Sequence, residues 1–190
     1  MQAGATRYED ASVTASGAGR VRPLRVLLAD PAPMQRSGLR AVLTGAGLPD
    51  GTGHGHAAGA VAEIVVAGET GDGAEAVDLA RRLLPDVLIV DLALPRIDGL
   101  AVTRAVSAAG LPVRVLVLTS QDSDEDVLAA IAAGAAGFLR KDPGIDELIA
   151  TVRAVAAGGA VIAPVLLQRI LTRVAEALPA PETTTSSRLD

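Results

Sequence analysis

Four residues of this 190-residue chain share a setting that can do chemistry. Asp30 follows the run RVLLA, Asp91 follows DVLIV, Thr119 follows VRVLVL, and Lys141 follows GFLR. If these runs are parallel strands, their carboxyl ends share one edge of a sheet and the four groups converge there. Two carboxylates attract Mg²⁺, a hard cation that keeps several waters. A hydroxyl and an ammonium can hold anionic oxygens. The set suits phosphoryl transfer to a carboxylate, with metal and lysine neutralising charge on the moving group. Each member alone is weak evidence, because a strand-end Asp is more often a turn or cap residue. The weight lies in the joint pattern. Lys141 also stands out because every other basic residue is Arg and Asn is absent, a bias that a GC-rich genome explains.

The elements that must position these groups alternate along the chain. Apolar strands are expected at 25–29, 63–67, 86–90, 113–118 and 137–140. Helical spacing follows at 33–48, 75–84, 100–109, 123–133 and 145–157, the last closed by Gly158 and Gly159. The first of these helices has Met34, Leu39, Val42 and Leu43 at near-helical spacing. Five β-α units predict a doubly wound α/β domain over residues 23–158, with a five-stranded parallel sheet of flavodoxin-like order 2-1-3-4-5. An extra C-terminal helix is expected within 159–178, where Leu167, Leu171, Val174 and Leu178 form a heptad-like seam. That seam suits packing back onto the domain, a dimer, or an interdomain signalling helix. Residues 1–22 read as a disordered leader, 49–60 as a loop insertion and 179–190 as a flexible tail. His54 and His56 lie in the loop insertion, where they read as a metal-binding tract or as exposed imidazoles of a floppy loop.

Composition excludes several classes. A net charge of −5 gives no overall basic footprint for nucleic acid. Tyr8 and Phe138 are the only aromatic residues, too few for base-stacking surfaces. The chain has no Cys, hence no thiolate chemistry or Cys-ligated zinc. No apolar run reaches the roughly 18 residues of a membrane span. The expectation is a cytoplasmic protein that contacts no membrane.

The stretches RVLLADPAPMQRSGL, GETGDGAEAVDLARRLLPDVLIVDLALPRIDGL, VLVLTSQDSDEDVLAAIAAGAAGFLRKD and ELIATVRAVAAGGAVIAP resemble response-regulator receiver domains, in particular those of LuxR/NarL (FixJ) type transcription regulators. The resemblance spans roughly residues 24–164. It implies that Asp91 accepts a phosphoryl group from a sensor histidine kinase. It implies that Thr119 is the switch hydroxyl, Lys141 the phosphate-contacting lysine and Phe138 the switch aromatic. Pro95 and Gly99 match the turn that follows the phosphoacceptor. Asp30, Asp91 and the backbone carbonyl of Ala93 would hold the metal. Phosphate would then move the hydroxyl and the aromatic, and change the surface of the fourth helix, fifth strand and fifth helix.

One departure bears on the chemistry. Family members usually carry two adjacent acids after the first strand, and here the stretch reads Ala29-Asp30-Pro31. Proline offers no side-chain ligand. The resemblance therefore implies weak or absent Mg²⁺ and slow or absent phosphorylation. A conventional receiver phosphorylated on Asp91 is the alternative, and a small-ligand-binding or constitutively dimeric module is another. Ala93 and Gln121 match positions that tune the lifetime of the phosphoryl group. An aspartyl phosphatase would need an acid where Ala93 stands, so an enzyme is not expected. Other expected partners are a second copy in a homodimer, and DNA through a C-terminal domain absent from this chain.

Overall fold

The computed structural model describes residues 22–45, 62–120, 123–142 and 144–177. Residues 1–21 of the leader, the loop insertion with His54 and His56, Gln121, Leu178 and the tail lie outside the described residues, whereas Arg22, the last leader residue, is described and pairs with Asp86. Six strands form one parallel sheet: β1 (Leu24–Ala29), β2 (Ile64–Thr70), β3 (Val87–Val90), β4 (Arg114–Thr119), β5 (Gly137–Arg140) and β6 (Val161–Ile162). Their spatial order is β2-β1-β3-β4-β5-β6. Six helices alternate with them: α1 (Pro33–Thr44), α2 (Gly73–Leu83), α3 (Gly99–Ala108), α4 (Asp124–Ala133), α5 (Ile145–Ala156) and α6 (Pro164–Ala177).

The strands are apolar without alternation because both sheet faces are covered. All four residues of β3 are buried. One core holds Leu27, Leu88 and Val117 of the sheet against Ala76 and Ala80 of α2, Val102 and Val106 of α3, Val127 and Ala130 of α4, and Leu166 and Ile170 of α6. The other sets Val26, Ile89 and Leu116 against Leu39 and Leu43 of α1 and Leu148, Val152 and Val155 of α5. Phe138 is the only aromatic side chain in either core, which is otherwise aliphatic.

Helix starts follow cap chemistry. Asp72 accepts from the Glu75 N–H at the start of α2, Asp98 from Ala101 at α3, and Ser123 from Asp126 at α4. The Asp72 cap explains why α2 begins at Gly73, two residues before the apolar spacing becomes visible. Helix α1 has no side-chain cap; Pro33 supplies its preset φ, and Gly45 ends it at φ +69°.

The expected order 2-1-3-4-5 is present, with one addition. The two-residue β6 pairs with the outer edge of β5, Gly137 opposite Val161 and Phe138 opposite Ile162. Two residues carry no periodicity, so this strand has no signal in sequence. The C-terminal seam also differs from expectation. Leu167, Leu171 and Val174 are 43%, 59% and 44% exposed, whereas Leu166 and Ile170 are buried. The helix does pack back onto the domain, but with the neighbouring stripe. Leu166 and Ile170 lie on the stripe beside that seam, and it is this stripe that enters the core with Val127 and Ala130 of α4. Met34 likewise points outward and is 88% exposed.

Candidate functional site

Asp30 and Asp91 stand side by side because β1 and β3 are adjacent central strands in register, Ala29 opposite Val90. Both carboxylates are buried, at 3% and 6% exposure. They are held in the same way. Asp30 Oδ1 accepts the Ala32 N–H at 2.8 Å, and Asp91 Oδ1 accepts the Ala93 N–H at 3.3 Å. Each is thus a turn residue bonded to the backbone two positions on. That leaves the two Oδ2 atoms facing Lys141, whose Nζ lies 2.5 Å from Asp91 Oδ2 and 2.6 Å from Asp30 Oδ2. The Asp91 contact is a hydrogen bond. The Asp30 contact is at ion-pair distance but lacks hydrogen-bond alignment, so this buried oxygen has no directional partner among the described residues.

Burial alone would lower the affinity of Lys141 for its proton. The contacts with Asp30 and Asp91 and their charges outweigh it, and the ammonium is held above its ordinary pKa. One cation thus neutralises part of a two-anion site.

Thr119 ends β4 and is buried. Its carbonyl accepts the Lys141 N–H at 2.8 Å, which ties the β4 and β5 ends together beside the carboxylates. Phe138 also lies on β5 but is 1% exposed, in the core shared with α3, α4 and α6. The structure thus gathers Asp30, Asp91 and Lys141 in direct contact and Thr119 at the adjoining strand end, and it sets Phe138 in the core behind them. Pro31 directly follows Asp30 and supplies no donor. No cluster of three or more metal-ligating acids, histidines or cysteines occurs among the described residues.

Arg36 was not legible as a site residue. Its guanidinium donates to the Asp30 backbone carbonyl at 2.5 Å, lies 4.0 Å from Glu69, and brings a second positive charge to the Asp30 turn. A signal was available, because an Arg in the first turn opposes the helix dipole and α1 has no acid there.

A parallel sheet with two buried acids and a lysine at its carboxyl edge is of the doubly wound class, in which ligands sit beyond the carboxyl ends of the strands. The response regulator receiver domain family matches residues 56–153, just over half the chain. The chain is 34% identical over 149 residues to the uncharacterized transcriptional regulatory protein YxjL of Bacillus subtilis, covering 78% of this chain and 62% of that one. It is 37% identical over 139 residues to the nitrate/nitrite response regulator protein NarP of Escherichia coli, covering 73% of this chain and 58% of NarP. The solved signal receiver domain of NarL from Mycobacterium tuberculosis superposes with a TM-score of 0.63 at 34% identity, over 73% of this chain and 99% of that domain.

The chain belongs to the response regulator receiver family. Receivers are regulatory modules rather than enzymes. This chain spans about three fifths of the length of the two curated relatives described above. No helix among the described residues is long and apolar enough to cross a membrane.

Proposed function

We propose that this chain is the receiver part of a two-component or orphan transcription regulator with a weakened Mg²⁺ site, in which Asp91 takes a phosphoryl group slowly or not at all. The observation that carries this reading is the donor set. Asp30 and Asp91 face one space, and Pro31 stands where the family resemblance implies a second acid. Two carboxylates with the Ala93 carbonyl and waters still fit Mg²⁺, which proteins often hold by one or two carboxylates. The set is one charge and one ligand short of the implied site.

In this reading the residues divide the work. Asp91 is the acceptor, and its Oδ1 is fixed by the Ala93 N–H. Lys141 neutralises oxygens of the incoming group after leaving its double ion pair. Thr119 offers a hydroxyl at the neighbouring strand end, and Phe138 occupies the core through which a shift at Thr119 is felt. A bound Mg²⁺ would supply charge neutralisation for the transferring phosphoryl group. Ala93 cannot orient an attacking water, which favours a long-lived phosphoryl group wherever one forms. A sensor histidine kinase is the donor in this proposal, DNA is reached through a further domain, and the setting is cytoplasmic. A second copy of the chain completes a homodimer.

A second reading has its own observation. Asp30 Oδ2 is buried and faces a cation already, the Lys141 ammonium at 2.6 Å, so this oxygen suits a metal ion once Lys141 moves away. Conventional phosphorylation on Asp91 would follow if Asp30 replaces the missing acid. A ligand-binding or constitutively dimeric module is the remaining alternative if the phosphate site is silent.

Incubation with acetyl phosphate and Mg²⁺, followed by intact mass, separates these readings, with Asp91→Asn as control. A slow or missing adduct is expected. A rapid, stoichiometric adduct that disappears in Asp91→Asn would establish the conventional switch instead.

A further inference from the structure

We infer that Asp72 and Arg96 are positioning residues: their ion pair clamps the loop after β3 to the start of α2 and so fixes the Ala93 peptide beside Asp91. The inference rests on the reading of the strand-end cluster as a site in which the Ala93 carbonyl serves a metal ion. The loop, residues 91–98, is held at three points. At its start, Asp91 Oδ1 accepts the Ala93 N–H, and the Leu92 carbonyl accepts the Gly99 N–H at 3.0 Å. In its middle, Leu94 is buried in the core that α2 and α3 share. Further along, the Pro95 carbonyl accepts two N–H groups, from Ile97 at 2.9 Å and from Gly73, the first residue of α2, at 3.2 Å.

The bond from Ile97 to Pro95 closes a γ-turn around Arg96, whose φ is +67°. A γ-turn of that hand is rare and strained, and a side chain stays in such a conformation only where its surroundings hold it. Glycine would take it freely. Arg96 is held instead by its guanidinium, whose Nε–H donates to Asp72 Oδ2. Asp72 is itself fixed. Its Oδ1 caps α2 by accepting the Glu75 N–H at 3.0 Å, and its own N–H donates to Thr70 Oγ1 at 3.1 Å. An exposed pair of two mobile side chains contributes little, but here only the Arg96 side chain must be ordered. The backbones meet just as closely, because a Cβ on Gly73 would lie 2.0 Å from the Ile97 carbonyl oxygen. Ala93 thus sits between Asp91, which bonds its N–H, and Leu94 and Pro95, which the core and α2 hold in place. Releasing Arg96 frees the second flank.

Backbone NMR of the full 190-residue chain tests this, with MgCl₂ as the probe. Asp72→Asn keeps a good α2 cap and removes the charge that holds Arg96. Arg96→Ala removes the guanidinium and keeps the strain, whereas Arg96→Gly removes both. Asp72→Asn and Arg96→Ala should each speed amide exchange at Gly73 and Ile97 several-fold and shift the Ala93 carbonyl resonance. The α5 amides, on the other face of the sheet, should stay as they are. Asp72→Asn should add nothing in the Arg96→Ala background, because the two residues act as a unit. Arg96→Gly should return the Ala93 resonance toward its parent position. Mg²⁺ affinity, read from the same spectra, should fall about tenfold in Asp72→Asn and in Arg96→Ala, the lower end of what groups behind a metal ligand contribute. An unmoved Ala93 resonance in both variants would overturn the inference, and so would a loss of protection that spreads evenly into α5. Mg²⁺ binding of equal strength in parent and variants overturns it as well. If the parent takes up no Mg²⁺ while the Ala93 resonance still answers to both variants, the clamp stands and only the metal reading is withdrawn.

Discussion

Gly99 packs against the main chain of Asp91. A methyl group at its Cα would run into the Asp91 carbonyl oxygen and stand 2.9 Å from the Asp91 carbonyl carbon and from Leu92 Cα. The Gly99 N–H donates to the Leu92 carbonyl at 3.0 Å, so the start of α3 cannot back away without losing that bond. The glycine is needed here for close approach, and it fixes where the loop after β3 returns. Gly99→Ala is expected to destabilise the fold by about 1–3 kcal/mol, the range for forcing a methyl group into packed surroundings. Chemical denaturation would measure it, and a loss below a few tenths would mean that the loop relaxes freely.

Lys141 links two buried carboxylates, and its own side chain keeps only 14% exposure. Lys141→Ala leaves two like charges facing each other with no counter-charge. Breaking a buried ion pair costs roughly 3–5 kcal/mol, and the residual exposure places this case near the lower end. Combining Lys141→Ala with Asp91→Asn should recover a large part of the loss, because one of the stranded charges is gone. A denaturation-based double-mutant cycle reads this coupling, and strict additivity would show that the pair does not interact.

Pro31→Asp restores an acid beside Asp30. The expected result is Mg²⁺ affinity raised on the order of tenfold, the scale on which added site groups act. Titration calorimetry with MgCl₂ measures it, with Asp91→Asn in the same background as control. No gain would mean that the space between Asp30 and Asp91 is already committed to Lys141.

Asp86 gives a pH dependence away from the site. Burial pushes its carboxyl up, but hydrogen bonds from Arg22 and the Arg25 N–H, with the charges of both arginines, outweigh it and hold the pKa below its ordinary value. A depressed carboxylate contributes stability that is present above its unfolded pKa, about 3.9, and is lost as pH falls through the folded value. Asp86→Asn should therefore be less stable than the parent at neutral pH, and the gap should close only on strong acidification. The effect is modest because the Arg22 side chain is 71% exposed. Thermal unfolding of both proteins across pH 2–7 would show it, and a gap that widens in acid would reverse the sign.

Asp30, Asp91, Thr119 and Lys141 were visible in sequence because a buried parallel strand is a continuous apolar run, and the first polar residue after it marks the sheet edge. That signal is local, and it carried the alternation of elements and the candidate cluster, while the strand order came from the doubly wound pattern that such an alternation implies. Other features depended on which surfaces meet. The pleat and register of β1 and β3 turned both Oδ2 atoms toward one ammonium. The turn around Asp30 brought in Arg36, whose partner is a backbone carbonyl that no side-chain pattern encodes. The stripe of α6 that goes inward was decided by packing against α4, because the helix offers two neighbouring apolar stripes. The two-residue β6 exists because the edge of β5 is there to pair with it. Local patterning therefore determined the elements and the chemistry at their ends, while tertiary contact decided orientation, partner and the last strand, since these are properties of two surfaces and are written in neither one alone.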